Sequence, residues 1–408
     1  MTRIRIVGGQ LIETTGGDYN IYTKESIVYS AATTITETGV EKGVSYGNPE
    51  TYTPAQIESE IEVKILKDTF LPLGISNFKG EIENSTIKFE IKCKKGTAEN
   101  LTFFIKHEGS TLFTRKIDNS LTSGDKITVE WDGFSDSKIY DSTLFTEEEL
   151  TVEITGADNE AKDIFKSKYD KVKWVDIKID NNTKRIDVIL RVNLSNGKVD
   201  SDVTKSLSDL ISMALLGLEK YWGRNKTRTI GNSLNVNGNE YEIFIKPLNT
   251  EENSMPSLKI YASAKKYGRS RNWILSRKLF YNEGETYGIY QEVSIKYPAM
   301  ILPITVEDGV IIDNENYSHT AAHEIGHEIL QVFGGKKDYS YVHKSTSTLI
   351  TQEVKKESTL PFSGEIDLMM YYSDDYFVDR DSNHFYERNI AHENDLLGLI
   401  WCSKLKIK

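Results

Sequence analysis

The spacing of apolar and polar positions changes character along the chain. Up to about residue 53, short β-branched pulses stand apart from one another, at 4–7, Ile12, 19–22, 27–29 and Ile35. They recur roughly every seven to eight residues, and Gly8-Gly9 and Gly16-Gly17 punctuate them. Such pulses predict strands, read either as stacked β-rungs or as a hairpin extension. A segment this short buries little core by itself.

From about 54 to 170, strict alternation takes over. The runs 61–65, 87–91, 101–105, 127–131 and 150–154 each place every second residue on an apolar face. Period-two alternation with polar turns predicts a half-exposed antiparallel sandwich of immunoglobulin-like type. No residue there carries evident chemistry, and His107 reads as a surface strand residue.

Beyond 171 the periods mix. The runs 175–179 and 186–190 flank Asp180-Asn181-Asn182-Thr183, a predicted hairpin. Val203, Leu207, Leu210, Ile211, Ala214, Leu215 and Leu218 follow the helical period, with Ser201 or Asp202 as the expected cap. Strands are expected at 241–245, 258–262 and 293–304, a second helix from near Ser318 and a final helix over about 388–404. The expected fold class is multidomain. A β-rich segment (1–53) and a sandwich (54–170) form an all-β N-terminal part, followed by an α+β domain (171–408). In that domain a strand at 258–262 or 293–304 would edge the cleft.

The second helix carries His323-Glu324-Ile325-Gly326-His327. Residues four apart share a helix face, so both imidazoles can reach one metal ion. Neutral imidazole suits Zn²⁺. Glu324 is placed to take a proton from a water that the metal activates, without ligating. Gly334-Gly335 is the expected end of the helix.

A catalytic zinc site uses three protein ligands and an open position. His343 leads for the third ligand, because it follows the Gly-Gly break on a loop that can fold back. Glu365, Glu387, Glu393, His384 and His392 are competitors. His319 continues the stripe of His323 and His327. Three helical ligands in line span about 12 Å at 1.5 Å per residue, too far for one tetrahedral ion. His319 is therefore expected beside the site or at the surface. Met369-Met370-Tyr371-Tyr372 reads either as a buried apolar turn or as a methionine floor with a tyrosine aimed at a substrate carbonyl.

Composition narrows the function classes. Fifty Lys+Arg against 61 Asp+Glu leave a net charge of −11, which argues against a general nucleic-acid binder. Two distant cysteines, Cys93 and Cys402, exclude a disulfide framework and a multi-cysteine metal site. Metal ligation therefore falls to histidine and carboxylate, and six of the seven histidines lie between His319 and His392. No run is long and apolar enough for a membrane span, and the N-terminus lacks the apolar core of a cleaved signal.

HEIGH followed by a methionine-bearing turn resembles the zincin metallopeptidases, particularly the metzincin-like group. The standard metzincin pattern has Gly and a third His close behind the helix, where Leu330 and Phe333 stand here. HEIGHEILQVFGG, YSYVHKSTST and SGEIDLMMYY together are similar to metallopeptidase domains of bacterial toxin type. That resemblance covers about the last 240 residues of the chain. It implies Zn²⁺ held by His323, His327 and His343, with Glu324 as base, Met369 as the turn methionine and Tyr371 as the tyrosine. The Gly-Thr-Ile-rich N-terminus is similar to leader segments of effectors from type VI and related contractile injection systems.

The resemblance implies a zinc metalloendopeptidase acting on a protein or peptide. It would be made in the bacterial cytoplasm without a signal peptide and exported or injected by a specialised secretion system. Residues 1–53 would meet spike or tube proteins. The alternative expectation is a non-catalytic structural or adaptor component of a secretion apparatus, carrying a degenerate zincin domain.

Overall fold

The computed structural model describes residues 59–146, 149–156, 160–266, 268–273, 275–296, 305–335, 344, 354–356, 358–372 and 382–408, together with 13, 29 and 35–37. The chain divides into two compact units, Met1–Glu58 and Ser59–Lys408. The strands expected over 1–53 lie outside the described residues, apart from exposed single positions such as Tyr29 and Ile35.

The second unit is mostly β-sheet with a few helices, and its N-terminal part is rich in strands. The alternating runs there are strands: Glu60–Leu66 (β1), Ile87–Lys95 (β2), Thr102–His107 (β3), Ser110–Lys116 (β4), Lys126–Trp131 (β5), Leu150–Thr155 (β6) and Glu160–Phe165 (β7). Two antiparallel sheets result, ordered β1-β2-β5 and β7-β6-β3-β4. Their apolar faces meet through Phe89, whose ring stands 5.0 Å from Phe103 and 5.7 Å from Phe165.

A second layered assembly follows. Val175–Asp180 (β8) and Arg185–Val192 (β9) form the expected hairpin. After Asn193 the chain runs on as Leu194–Val199 (β10), then crosses through helix Leu207–Trp222 (α1) to Asn239–Asn249 (β11). Next come Leu258–Ser263 (β12), Arg271–Trp273 (β13) and Ser276–Asn282 (β14). β11 lies parallel to β9, β12 parallel to β10, and β14 parallel to β12. In the sheet ordered β10-β12-β14-β13, β13 is the antiparallel strand, at the outer edge beside β14. Helices Glu285–Lys296 (α2), Val306–Gly334 (α3), Ser382–Arg388 (α4) and Glu393–Trp401 (α5) complete the unit.

Several ladders tie the strand-rich part to the rest. Ile139–Asp141 pairs with β8, and both Thr69–Phe70 and Ser167–Tyr169 pair with the C-terminal strand Leu405–Ile407. Trp401 also donates its indole N–H to Glu83 at 2.8 Å.

Three expectations about elements change. The first helix starts at Leu207 rather than near 202, because Ser206 and Asp209 cap each other reciprocally. Such a box contributes about 1 kcal/mol and sets where the helix begins. The strand expected at 293–304 is not one as far as it is described, since Val293 to Lys296 close α2. That helix is started by Asp313, whose carboxylate accepts from the N–H groups of Gly284 (2.7 Å) and Thr286 (3.0 Å). A cap from a residue so distant leaves no trace in local periodicity. The edge of this sheet accordingly belongs to β13, while β12 lies inside the sheet.

The final helix also differs. The expected span 388–404 is interrupted by Asn389–Ile390, which pairs with Ile366–Asp367 and separates α4 from α5.

Candidate metal centre

The helix that carries HExxH is longer than expected, running over Val306–Gly334 rather than starting near Ser318. Thr305 caps it, in a reciprocal box with Asp308. It ends where the Gly pair predicted: Gly335 adopts φ 88° and donates to Gln331 O. Its site segment, from Ala321 to Leu330, is buried throughout.

Small residues let neighbours approach this segment. A Cβ on Gly217 of α1 would stand 2.2 Å from the Ser318 carbonyl oxygen, so only glycine permits this crossing. Five residues after Gly217, Trp222 donates its indole N–H to Ala322 O at 3.1 Å. On another side, a Cβ on Gly326 would lie 2.6 Å from Met369 Sδ and 2.8 Å from the Trp222 ring. The turn methionine is therefore packed against the glycine of HEIGH, and it is buried to 2% exposure. Met369 thus lies in a buried apolar turn.

His323 and His327 are both buried, with ring centroids 4.8 Å apart and planes nearly perpendicular. The Nδ1–H of His323 donates to Leu368 O at 2.7 Å. A carbonyl only accepts, so Nδ1 carries the proton and Nε2 keeps its lone pair. Burial lowers the His323 pKa and so favours a neutral ring, while that hydrogen bond acts in the opposite direction. Donation from one ring nitrogen to a carbonyl is how metal-binding histidines are held in orientation.

Glu324 lies between them in sequence and is almost completely enclosed. Burial pushes its carboxyl up to about 8, against a hydrogen bond from the Asn272 backbone N–H and the positive charges of Arg269 and Arg271. The Asn272 side chain also donates to Glu324 O at 2.8 Å, which locks edge strand β13 onto α3.

Tyr371 stacks on His323, with centroids 5.7 Å apart and planes 9° from parallel. Its neighbour Tyr372 has a different task, accepting at its hydroxyl from Asp367 N at 2.9 Å. A cleft of about 460 Å³ opens beside these groups, its walls including Arg269, His319, His323, Glu324, Tyr371 and Phe385.

Glu365, Glu393, His392 and His319 are engaged elsewhere. Glu365 receives a two-pronged salt bridge from Arg224 at 2.6 and 3.0 Å, and Glu393 lies 3.6 Å from the same guanidinium. His392 caps α5 by accepting from Asn394 N. His319 lies 3.2 Å from Asn389 Oδ1, among the rings of Tyr221, Phe385 and Tyr386. It lines the cleft instead of joining the pair. Glu387 sits on α4, and the side chain of His384 lies outside the described residues.

His343 itself lies outside the described residues. Among the described residues, no group of three or more His, Cys, Asp or Glu side chains is placed to hold a metal ion. The residue after His343 is placed. Lys344 reaches Asp367 Oδ2 at 2.5 Å and Asp395 Oδ2 at 2.7 Å. Burial alone would lower its pKa, but the two aspartates hold it above the ordinary lysine value. Asp367 uses its other oxygen to accept from Met369 N at 2.9 Å. One carboxylate thus links the chain next to His343 with the turn that orients His323.

Sequence reasoning did not single out Trp222, Asn272, Lys344 or Asp367. Only Asp367 left a signal, as part of the Asp-Leu-Met turn. Cys93 and Cys402 are both free and buried. No helix among the described residues is long and apolar enough to cross a membrane. No protein-family model matches the chain, and no curated protein matches it.

Proposed function

We propose that the chain is a zinc-dependent metalloendopeptidase, with Ser59–Lys408 containing an immunoglobulin-like sandwich and a zincin-like α+β domain. The observation that carries this reading is the buried His323–His327 pair, with Glu324 enclosed beside His323 in sequence and Leu368 O fixing the first ring. Two neutral imidazoles four residues apart fit Zn²⁺, and the residue following His343 is anchored to the same turn. His323, His327 and His343 would hold the ion. When bound, zinc supplies a Lewis acid that polarises a carbonyl and lowers the pKa of water towards neutrality.

The remaining chemistry falls to this chain's own groups. In its ionised form Glu324 accepts a proton from the attacking water and passes it to the leaving amine. The Tyr371 hydroxyl donates to the oxyanion that develops on the scissile carbonyl. Edge strand β13, with Asn272 fastened to α3, aligns an extended substrate by strand addition.

The strand order supports the assignment. Three parallel strands end in one antiparallel edge strand, with α1 packed behind the site helix. Injection by a contractile system, with residues 1–53 meeting spike or tube proteins, is the delivery route proposed with this activity.

The test is metal analysis of purified protein with peptide hydrolysis before and after chelation. About one zinc per chain, and hydrolysis that chelation removes and zinc restores, is the expected result. A metal-free, inactive protein would favour the adaptor reading.

A further inference from the structure

We propose that the cleft selects acidic peptides, with Arg269 and Arg271 receiving Asp or Glu side chains of an extended segment laid along β13. This deepens the peptidase reading and rests on it for the location of the site.

The first observation is charge placement. Around the edge strand the sequence carries Lys265, Lys266, Arg269, Arg271, Arg277 and Lys278, with no Asp or Glu among them, in a chain of net charge −11. A positive surface on an acidic protein is a local feature, set at the rim of the candidate site.

The second is which of these cations stay available. Arg277 is used by Glu328 at 3.3 Å, and Lys265 pairs with Asp202 at 3.2 Å. Lys278 lies over the Tyr261 ring. Arg269 and Arg271 are exposed, and among the described residues neither makes an ion pair. Arg271 donates from Nε to the Ser276 hydroxyl at 2.6 Å, which steadies its stem.

The third is direction. Along β13 the side chains alternate: Asn272 is buried and faces α3, while Arg271 and Trp273 are exposed. Arg269 lines the cleft together with His323 and Glu324. The acids that share the cleft wall make no ion pair with it among the described residues. Asp313 is occupied by the start of α2, Glu285 accepts from Asn282 at 2.9 Å, and Glu324 is enclosed. An arriving acidic segment therefore meets the Arg269 guanidinium in the cleft and the Arg271 guanidinium on β13, and guanidinium groups suit carboxylate recognition.

The experiment uses the full-length, zinc-loaded Glu324→Gln protein and two fluorescent peptides of equal length. One is rich in Asp and Glu, and the other carries Asn and Gln at the same positions. Fluorescence anisotropy at low salt should show the acidic peptide binding about tenfold more tightly, with the difference shrinking as salt rises. Adding Arg269→Glu should remove that preference and leave the neutral peptide within about twofold, and Arg269→Gln should fall between. Equal binding of the two peptides, or a preference untouched by Arg269→Glu, would overturn the proposal. Hydrolysis by the wild-type protein is read separately. Selective binding without cleavage of either peptide upholds the acidic site and counts against the peptidase reading.

Discussion

The Nδ1–H of His323 donates to the carbonyl oxygen of Leu368 across 2.7 Å, joining the site helix to a turn 45 residues further along the chain. That bond fixes the tautomer of the first proposed ligand. The turn is in turn fixed by Asp367, which accepts from Met369 N and from Lys344. The orientation of His323 therefore depends on Leu368, Asp367 and Lys344.

Glu324→Gln removes the proton acceptor with almost no change of shape. Peptide hydrolysis should fall by about 10²- to 10⁴-fold, the usual worth of a general base. Zinc content, read by mass spectrometry, should stay at the wild-type level. Wild-type turnover in this variant would exclude Glu324 as the base.

His343→Ala should leave the protein folded and lower its zinc content well below that of wild type. His384→Ala should keep its zinc. His392→Ala should keep it too, while losing about 1 kcal/mol of stability with the α5 cap. Unchanged metal stoichiometry in His343→Ala would move the third ligand to another residue.

Lys344→Met takes away the cation that Asp367 and Asp395 share in a buried setting. Breaking such a pair costs about 3–5 kcal/mol. Because the same carboxylate orients the 366–372 turn, zinc affinity should fall along with the melting temperature. Lys344→Arg should recover part of both, and a purely structural role would show stability loss with zinc affinity intact.

Gly217→Ala tests the helix crossing. Alanine favours a helix by up to about 1 kcal/mol over glycine. Here its methyl would meet the Ser318 backbone at 2.2 Å, and overpacking costs about 1–3 kcal/mol. The melting temperature should drop in a thermal scan. An unchanged value would mean that α1 and α3 can part without loss.

The strand-rich part was legible because its code is local. Alternation over 61–65, 87–91 and 127–131 needs only two-residue spacing, and each run is a strand in the structure. HExxH was legible for the same reason, since four residues make one helical turn and bring His323 and His327 together without help from elsewhere. What failed to show was set by distant partners. Asp313 starts α2 where a strand was expected, and Asn389–Ile390 pairs with Ile366–Asp367 and breaks the final helix.

The sequence alone determined the donor types, because with two isolated cysteines only imidazole and carboxylate remain for a metal. Tertiary structure decided how those donors are used. Arg224 claims Glu365, α5 claims His392, and Leu368 O claims one nitrogen of His323. The physical reason is that hydrogen bonds and ion pairs form between groups brought together by burial, and burial is a property of the packed layers, not of the order of residues.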